Sequence, residues 1–220
     1  MPPVSDPTLE VERAILRDNA EFVIGCDEVG RGAIAGPVAV GVAAIGSSAG
    51  EFPVGLRDSK MLSEKKREQL APLARSWSNF AAVGLATALE VDEVGIVAAL
   101  GLAGRRALVQ LHEQGLSINT SVVLLDGAHD WLTPTLTRPP RVRLQVKADR
   151  DCASVAAASV IAKVHRDRLM IEADASHPGY GWAGNKGYGS AGHFAAIAQL
   201  GPTALHRLSW LHQTQSPNEN

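Results

Sequence analysis

Residues Ser121, Val122, Val123, Leu124, Leu125 and Asp126 are followed directly by Gly127. An unbroken apolar run of this length, closed by an acid and a glycine, suits a strand buried on both faces. A strand of that kind needs helices above and below it, so this one segment already points to an α/β architecture. The flanking pattern agrees. Residues 21–27 form an apolar strand that runs into Gly30-Arg31-Gly32, and residues 38–45 form a second strand of small and β-branched side chains. Phe80 to Ala86 supplies a third strand, and residues 141–147 alternate polar with apolar, as a half-exposed edge strand does.

Between these lie helical stretches. Residues 10–19 form a short helix, and Ser63 is placed to cap a helix reaching Arg75. Residues 91–114 carry Val94, Val97, Ala98 and Leu102 at helical spacing, and residues 154–175 form a long helix whose first half is small. Residues 1–9 are Pro-rich and read as loose, and 178–190 as a Gly-rich loop. Residues 191–200 and 202–211 read as helical, and 213–220 as a polar tail. Adjacent strands early and helical crossovers later predict a mixed sheet with helices on both faces. In such sheets chemistry gathers beyond the strand ends.

A chain of 220 residues fits one domain with at most a small appendage, and 45% hydrophobic residues are enough for a real core. The formal net charge of -2 means that any surface for a polyanion must be built locally. Residues 138–168 meet that need, with eight Lys/Arg against three Asp, although a solvated helix face would look the same. Cys26 and Cys152 are far apart and outside any CxxC pattern, which excludes a disulfide scaffold or a structural zinc site and fits a reducing compartment. The N-terminus lacks a secretory pattern, and no apolar run reaches the ~18–20 residues that span a bilayer. A soluble, cytoplasmic protein is expected.

Acids at segment ends carry the chemistry. Asp27 and Glu28 arrive together at the end of an apolar strand, where a glycine break can let both approach one site. An isolated Asp-Glu pair is more often a charged turn. Asp126 sits at the carboxyl end of the buried strand, where an Asx turn would also place an acid. Asp149 and Asp151 precede a helix, whose N-terminus favours acids in any case. If these groups converge, they repel unless cations neutralise them, and their oxygens suit Mg²⁺ or Mn²⁺ rather than zinc. Two such ions ~4 Å apart are a common device for phosphoryl transfer.

Gly30-Arg31-Gly32 is not a dinucleotide fingerprint, because the next glycine, Gly36, comes one residue late. It can still expose backbone N–H groups to a nucleic-acid backbone. Tyr188, flanked by glycines and preceded by Lys186, can stack on a sugar or base. His165, His177, His193 and His206 have no zinc spacing.

As an ordered set, these segments resemble the ribonuclease HII family. The resemblance rests on Asp27-Glu28-Val29-Gly30-Arg31-Gly32 with Ala35-Gly36-Pro37-Val38, and on Asp58-Ser59-Lys60 before Leu62. It continues through Asp126-Gly127, Lys147-Ala148-Asp149 and Ala157-Ala158-Ser159-Val160-Ile161-Ala162-Lys163, with Arg166-Asp167. It ends on Lys186-Gly187-Tyr188-Gly189 and His206-Arg207, so that it spans about residues 20–210.

The resemblance implies a ribonuclease H-like fold: a five-stranded mixed sheet flanked by helices, with a C-terminal helical extension. The division it implies is an N-terminal tail and short helix at 1–19, a catalytic domain at 20–176, an extension at 177–212 and a polar tail at 213–220. It implies Asp27, Glu28, Asp126 and Asp149 as catalytic, metal-binding carboxylates. Many relatives have glycine where Ala148 stands, and Asp151 lies close enough to Asp149 to compete for the fourth place. Gly30, Arg31 and Gly32 would examine a ribose 2′-OH, Tyr188 would pack on the neighbouring sugar, and Lys60, Lys163 and Arg166 would serve as structural or phosphate contacts.

The implied reaction is endonucleolytic, on RNA/DNA hybrids and on single ribonucleotides embedded in duplex DNA. Two Mg²⁺ or Mn²⁺ ions would assist, and the cut 5′ of the ribonucleotide would leave 3′-OH and 5′-phosphate ends. A monomer is expected, and the tail shows no aromatic clamp-binding motif. A carboxylate-metal exonuclease and a non-catalytic hybrid-binding module are the competing readings.

Overall fold

Small residues decide how closely helices can lie on the sheet of this protein. The computed structural model describes residues 6–211. Along the chain come α1 (Glu10–Arg17), β1 (Phe22–Val29), β2 (Val38–Gly46), α2 (Glu64–Trp77), β3 (Phe80–Ala86) and α3 (Ala88–Glu113). They are followed by β4 (Val122–Asp126), β5 (Arg141–Gln145), α4 (Ala148–Asp151), α5 (Ala153–Ser176), α6 (Trp182–Asn185), α7 (Ala191–Leu200) and α8 (Leu208–Leu211). The strands form one mixed sheet in the order β3-β2-β1-β4-β5. β1, β2 and β3 make an antiparallel meander, and β4 and β5 run parallel to β1.

The central strands are buried on both faces, as the apolar run of β4 requires. α3 covers one face, where Ala99, Leu100, Ala103, Ala107 and Leu111 join Ile24, Val40, Val123 and Leu125. α5 covers the other with its small first half, Ala156, Ala157, Ala158 and Ala162. There the helix backbone itself meets β1: a Cβ on Gly25 would lie 2.3 Å from the Ser154 carbonyl carbon. Gly25→Ala should therefore force sheet and helix apart at a cost of about 1–3 kcal/mol. At about 2–4 °C per kcal/mol for a chain of this size, a thermal melt reads that directly. A variant melting within a degree of the parent would show that this approach can relax.

Several expectations need correction. Residues 6–9 are not loose. Thr8 pairs with Cys152, its N–H donates to the Asp151 carbonyl at 3.0 Å, and its own carbonyl accepts from Ala153 N–H at 3.0 Å. Residues 178–190 are not all loop, because they contain α6. The expected helix at 202–211 is helical only in α8. Before it, the backbone pairs elsewhere: Arg207 N–H donates to Ile34 O and Gly36 N–H to Leu205 O, so residues 34–36 take the bonds a helix would have used.

α3 begins earlier than expected, on a capping box of Thr87 and Glu90. It breaks at Gly95 (φ 78°, ψ 160°), which shifts the phase of the buried stripe and leaves Val94 and Val97 exposed. By length and composition α3 could cross a membrane, but its apolar side is the core just described. The tail at 213–220 lies outside the described residues.

Candidate active site

Three segment ends meet at one edge of the sheet. β1 and β4 run parallel with Cys26 beside Leu125, so the next residues, Asp27 and Asp126, emerge at the same end. β5 pairs with β4 up to Asp126–Gln145, and α4 starts three residues later with Ala148 and Asp149. Lys147, between them, holds a left-handed conformation (φ 61°) that a side chain rarely adopts. Asp126 Oδ1 accepts from Ala148 N–H at 2.7 Å and from Asp149 N–H at 3.4 Å. Asp126 thus caps α4 and fixes where Asp149 stands. Asp151, its rival, is taken up by Arg150 at 2.6 and 2.8 Å.

The break after the first acid pair differs from the expectation. β1 continues through Glu28 to Val29 before the chain turns at Gly30. Asp27 is 2% exposed: its Oδ1 accepts from Glu28 N–H, and its Oδ2 is buried with no hydrogen-bond partner. Burial, with help from Glu28 and Asp126, pushes its carboxyl well above the usual range against the pull of Ser159 and Lys60. Asp126 is also raised, by burial first and then by Asp149 and Glu28. Asp27 thus feels the charges of Glu28 and Asp126, and Asp126 those of Asp149 and Glu28. Lys60 Nζ stands 3.4 Å from Asp149 Oδ2, and although burial works against its charge, Asp27, Asp58 and Asp149 raise its pKa.

Among the described residues no three His, Cys, Asp or Glu side chains already stand close enough to hold one ion. The chemistry of the donors nevertheless fits a hard cation. They are carboxylate oxygens, mutually repelling, and one of them is a buried oxygen without a partner.

Asp27, Glu28, Gly30, Arg31, Gly32, Ser59, Lys60, Lys163 and Tyr188 line one cleft of about 220 Å³. Asp126 and Asp149 do not line it and reach it through Glu28 and Lys60. A larger hollow of about 310 Å³, between α3 and residues 117–140, is lined by no acid. Gly30 adopts φ 83°, and a Cβ there would lie 2.0 Å from Arg166 Nε. Tyr188 is 37% exposed, with Arg166 Cζ 5.4 Å and Lys163 Nζ 5.9 Å from its ring centroid. Lys163 is itself paired with Asp167 at 2.6 Å.

Arg166 is not a phosphate contact. It is fully buried, and its guanidinium donates to the carbonyls of Pro37, Lys186 and Ala35 at 2.8, 2.8 and 3.0 Å. Arg207, to which sequence reasoning gave no role, does the same for the loop at the cleft. It donates to Gly30 O at 2.7 Å, Arg31 O at 2.8 Å and Gly36 O at 3.2 Å. Two buried arginines thus hold the backbone around Gly30-Arg31-Gly32.

The family model described as Ribonuclease HII matches residues 24–213. The chain belongs to the ribonuclease HII family. It is therefore a hydrolase, an endoribonuclease. The Ribonuclease HII of Streptomyces avermitilis is 45% identical over 216 residues, covering 98% of this chain and 88% of that one. Among solved structures, the ribonuclease H2 of Pyrococcus horikoshii superposes with a TM-score of 0.66 at 28% identity, over 86% of this chain and 93% of that one. Bst-RNase HIII in complex with Mn²⁺ has the same fold (TM-score 0.65, 21% identity, 93% and 73% covered). In this ribonuclease HII family member the family segments noted in the sequence are those that converge on the cleft and its acidic edge. His206-Arg207, the most distant of them, reaches the site by holding its backbone.

Proposed function

We propose that this family member cleaves RNA paired to DNA, and cuts on the 5′ side of single ribonucleotides embedded in duplex DNA, leaving 3′-OH and 5′-phosphate ends. The observation that carries the reading is the buried, unpartnered Asp27 oxygen beside a cleft that also holds the Gly30-Arg31-Gly32 backbone and Tyr188. Asp27, Glu28, Asp126 and Asp149 would hold Mg²⁺ or Mn²⁺. When bound, two such ions supply an activated water and charge stabilisation for the leaving 3′-oxygen.

The chain's own residues do the rest. Lys60 balances the acids and must give up Asp149 when a cation takes its place. Arg207 occupies the carbonyls of Gly30 and Arg31, which leaves the loop's amide N–H groups to meet the 2′-hydroxyl. A deoxyribose would leave that group unpaired, at about 1–3 kcal/mol. Tyr188 packs on the following sugar, where a deoxyribose presents a flatter face. Arg31, half exposed at 50%, adds positive charge for the phosphates.

The test is a closed circular duplex with one ribonucleotide, incubated with Mg²⁺, Mn²⁺ or EDTA. Nicking in either metal and none in EDTA is expected, and an Asp126→Asn control should bind the duplex without nicking it. An intact circle beside digestion of linear duplexes from their ends would mean an exonuclease. Binding with no cleavage in any metal would mean a non-catalytic module.

A further inference from the structure

The C-terminal extension buries two histidines that the proposed chemistry does not use. His193 and His206 are each 1% exposed, packed with the buried Trp182 and with Tyr180. Their Nε2 atoms lie 3.2 Å apart, so one must donate and the other accept. Groups that can only donate decide which. The Thr203 backbone N–H points at His206 Nδ1 (2.9 Å), so that nitrogen accepts and the proton of His206 sits on Nε2. Trp182 Nε1–H points at His193 Nε2 (3.0 Å), so that nitrogen also accepts, and the proton of His193 sits on Nδ1. His193 Nδ1 lies 2.9 Å from the Tyr188 carbonyl. The result is a chain of one polarity, in which Thr203 N–H donates to His206, His206 to His193, and His193 to Tyr188 C=O. The single lone pair of His193 Nε2 is shared between Trp182 Nε1–H and His206 Nε2–H, and every step is consistent with neutral rings. Burial holds both below the ordinary histidine range, His206 at about 4.

We propose that His193 and His206 are positioning residues that set the Tyr188 ring at the cleft through this hydrogen-bonded chain. Tyr188 needs such a support. It lies between Gly187 (φ 81°) and Gly189, so its own neighbours restrain its backbone little. On one side, Gly187 O accepts from Ile34 and Ala35 N–H, and Tyr188 N–H donates to Asn185 O. On the other side, the His193 donor is the bond that ties the carbonyl down. A rotation at Tyr188 would carry its ring away from Arg166 and Lys163. The chain also links the ring to residues 203–206, whose backbone pairs with residues 35 and 36 beside Gly30-Arg31-Gly32. The two parts proposed to read the sugars thus rest on one support.

The proposal depends on the reading of Tyr188 as the sugar-packing residue, and the test separates the two. His193→Phe keeps the ring volume and removes the donor, whereas in His193→Asn the side-chain amide stands near the place of Nδ1 and keeps it. On a single-ribonucleotide duplex, His193→Phe should lower kcat/KM about tenfold, with a smaller loss on an all-RNA/DNA hybrid, and His193→Asn should recover most of it. Added to Tyr188→Ala, His193→Phe should cost less than about a further twofold, because the two act through one contact. ¹⁵N NMR of the histidine rings should show His193 protonated at Nδ1 and His206 at Nε2. Opposite tautomers, full activity of His193→Phe, or multiplying losses in the double variant would each overturn the proposal. If Tyr188→Ala leaves the substrate preference unchanged, the reading of Tyr188 fails, and the histidines are then a structural brace only.

Discussion

Asp27→Asn is expected to abolish cleavage and, in the same variant, to raise the melting temperature of the metal-free protein. The wild-type carboxyl is 2% exposed, has one oxygen without a partner, and faces the charges of Glu28 and Asp126. An unsatisfied buried polar group costs about 1–3 kcal/mol, and a charged one more. Asparagine keeps the shape and the acceptor for Glu28 N–H but carries no charge. A gain of 1 kcal/mol corresponds to about 2–4 °C for a protein of this size. The pH dependence has a definite sign. Burial raises the folded-state pKa of Asp27, so its contribution to stability is fully present below the unfolded value near ~3.9 and is lost as pH rises through the folded value. The advantage of the asparagine variant should accordingly be absent at the acid end of a series of melts in EDTA and grow toward neutral pH. Mg²⁺ should stabilise the wild type and leave the variant nearly unmoved. A variant that melts below the wild type at neutral pH in EDTA would show that Asp27 is well satisfied without a cation.

That trade of stability for function is not visible in the residues themselves, whereas much of the frame is. β4 was legible because consecutive apolar residues closed by Asp126 and Gly127 leave few other conformations. The small first half of α5 was legible as a helix, and its smallness turned out to be what lets it lie on Gly25. What failed was decided by partners distant in sequence. Pro202, Leu205 and Leu208 are spaced as a helix would space them, yet residues 205–207 pair with residues 34–36 instead. Glu12 caps the start of α5 through Ser154 N–H at 2.9 Å across 142 residues, which no local pattern announces.

The site divides the same way. Asp126 and Asp149 stand at element ends and Asp27 two residues before one, where sequence can place an acid. Whether a cation is buried cannot be read so easily. Lys163 and Arg166 look alike as cations on one helix, but Lys163 lines the cleft while Arg166 turns inward beneath Gly30 and Tyr188. Arg207 lay in a segment read as helical and, with His206, among the family-resembling residues without a role, so its hold on the Gly30-Arg31-Gly32 backbone appeared only with the fold.

Arg207→Lys should be the most damaging charge-conserving change in the C-terminal extension. The guanidinium is fully buried, and its planar fork spans Gly30 O, Arg31 O and Gly36 O together. A lysine ammonium is a single point on a flexible stem and cannot reach all of them in the same geometry. At least one carbonyl would lose its partner, at about 1–3 kcal/mol, and the charge would remain in a place where burial, and after it Arg166, already depresses the Arg207 pKa to about 10. The stacking of Arg207 on Trp210, 4.9 Å from the ring centroid, would weaken as well. The melting temperature should therefore fall by several degrees, about 2–4 °C for each kcal/mol lost. Activity should fall further than stability predicts, because the loop proposed to meet the ribose would no longer be fixed: a loss of about 10²-fold in kcat/KM on the single-ribonucleotide duplex is expected. The acids at the ends of β1, β4 and α4 do not touch Arg207, so stabilisation by Mg²⁺ should survive the substitution. Retained cleavage together with a lowered melting temperature would mean that Arg207 braces the fold and that the loop keeps its shape without it.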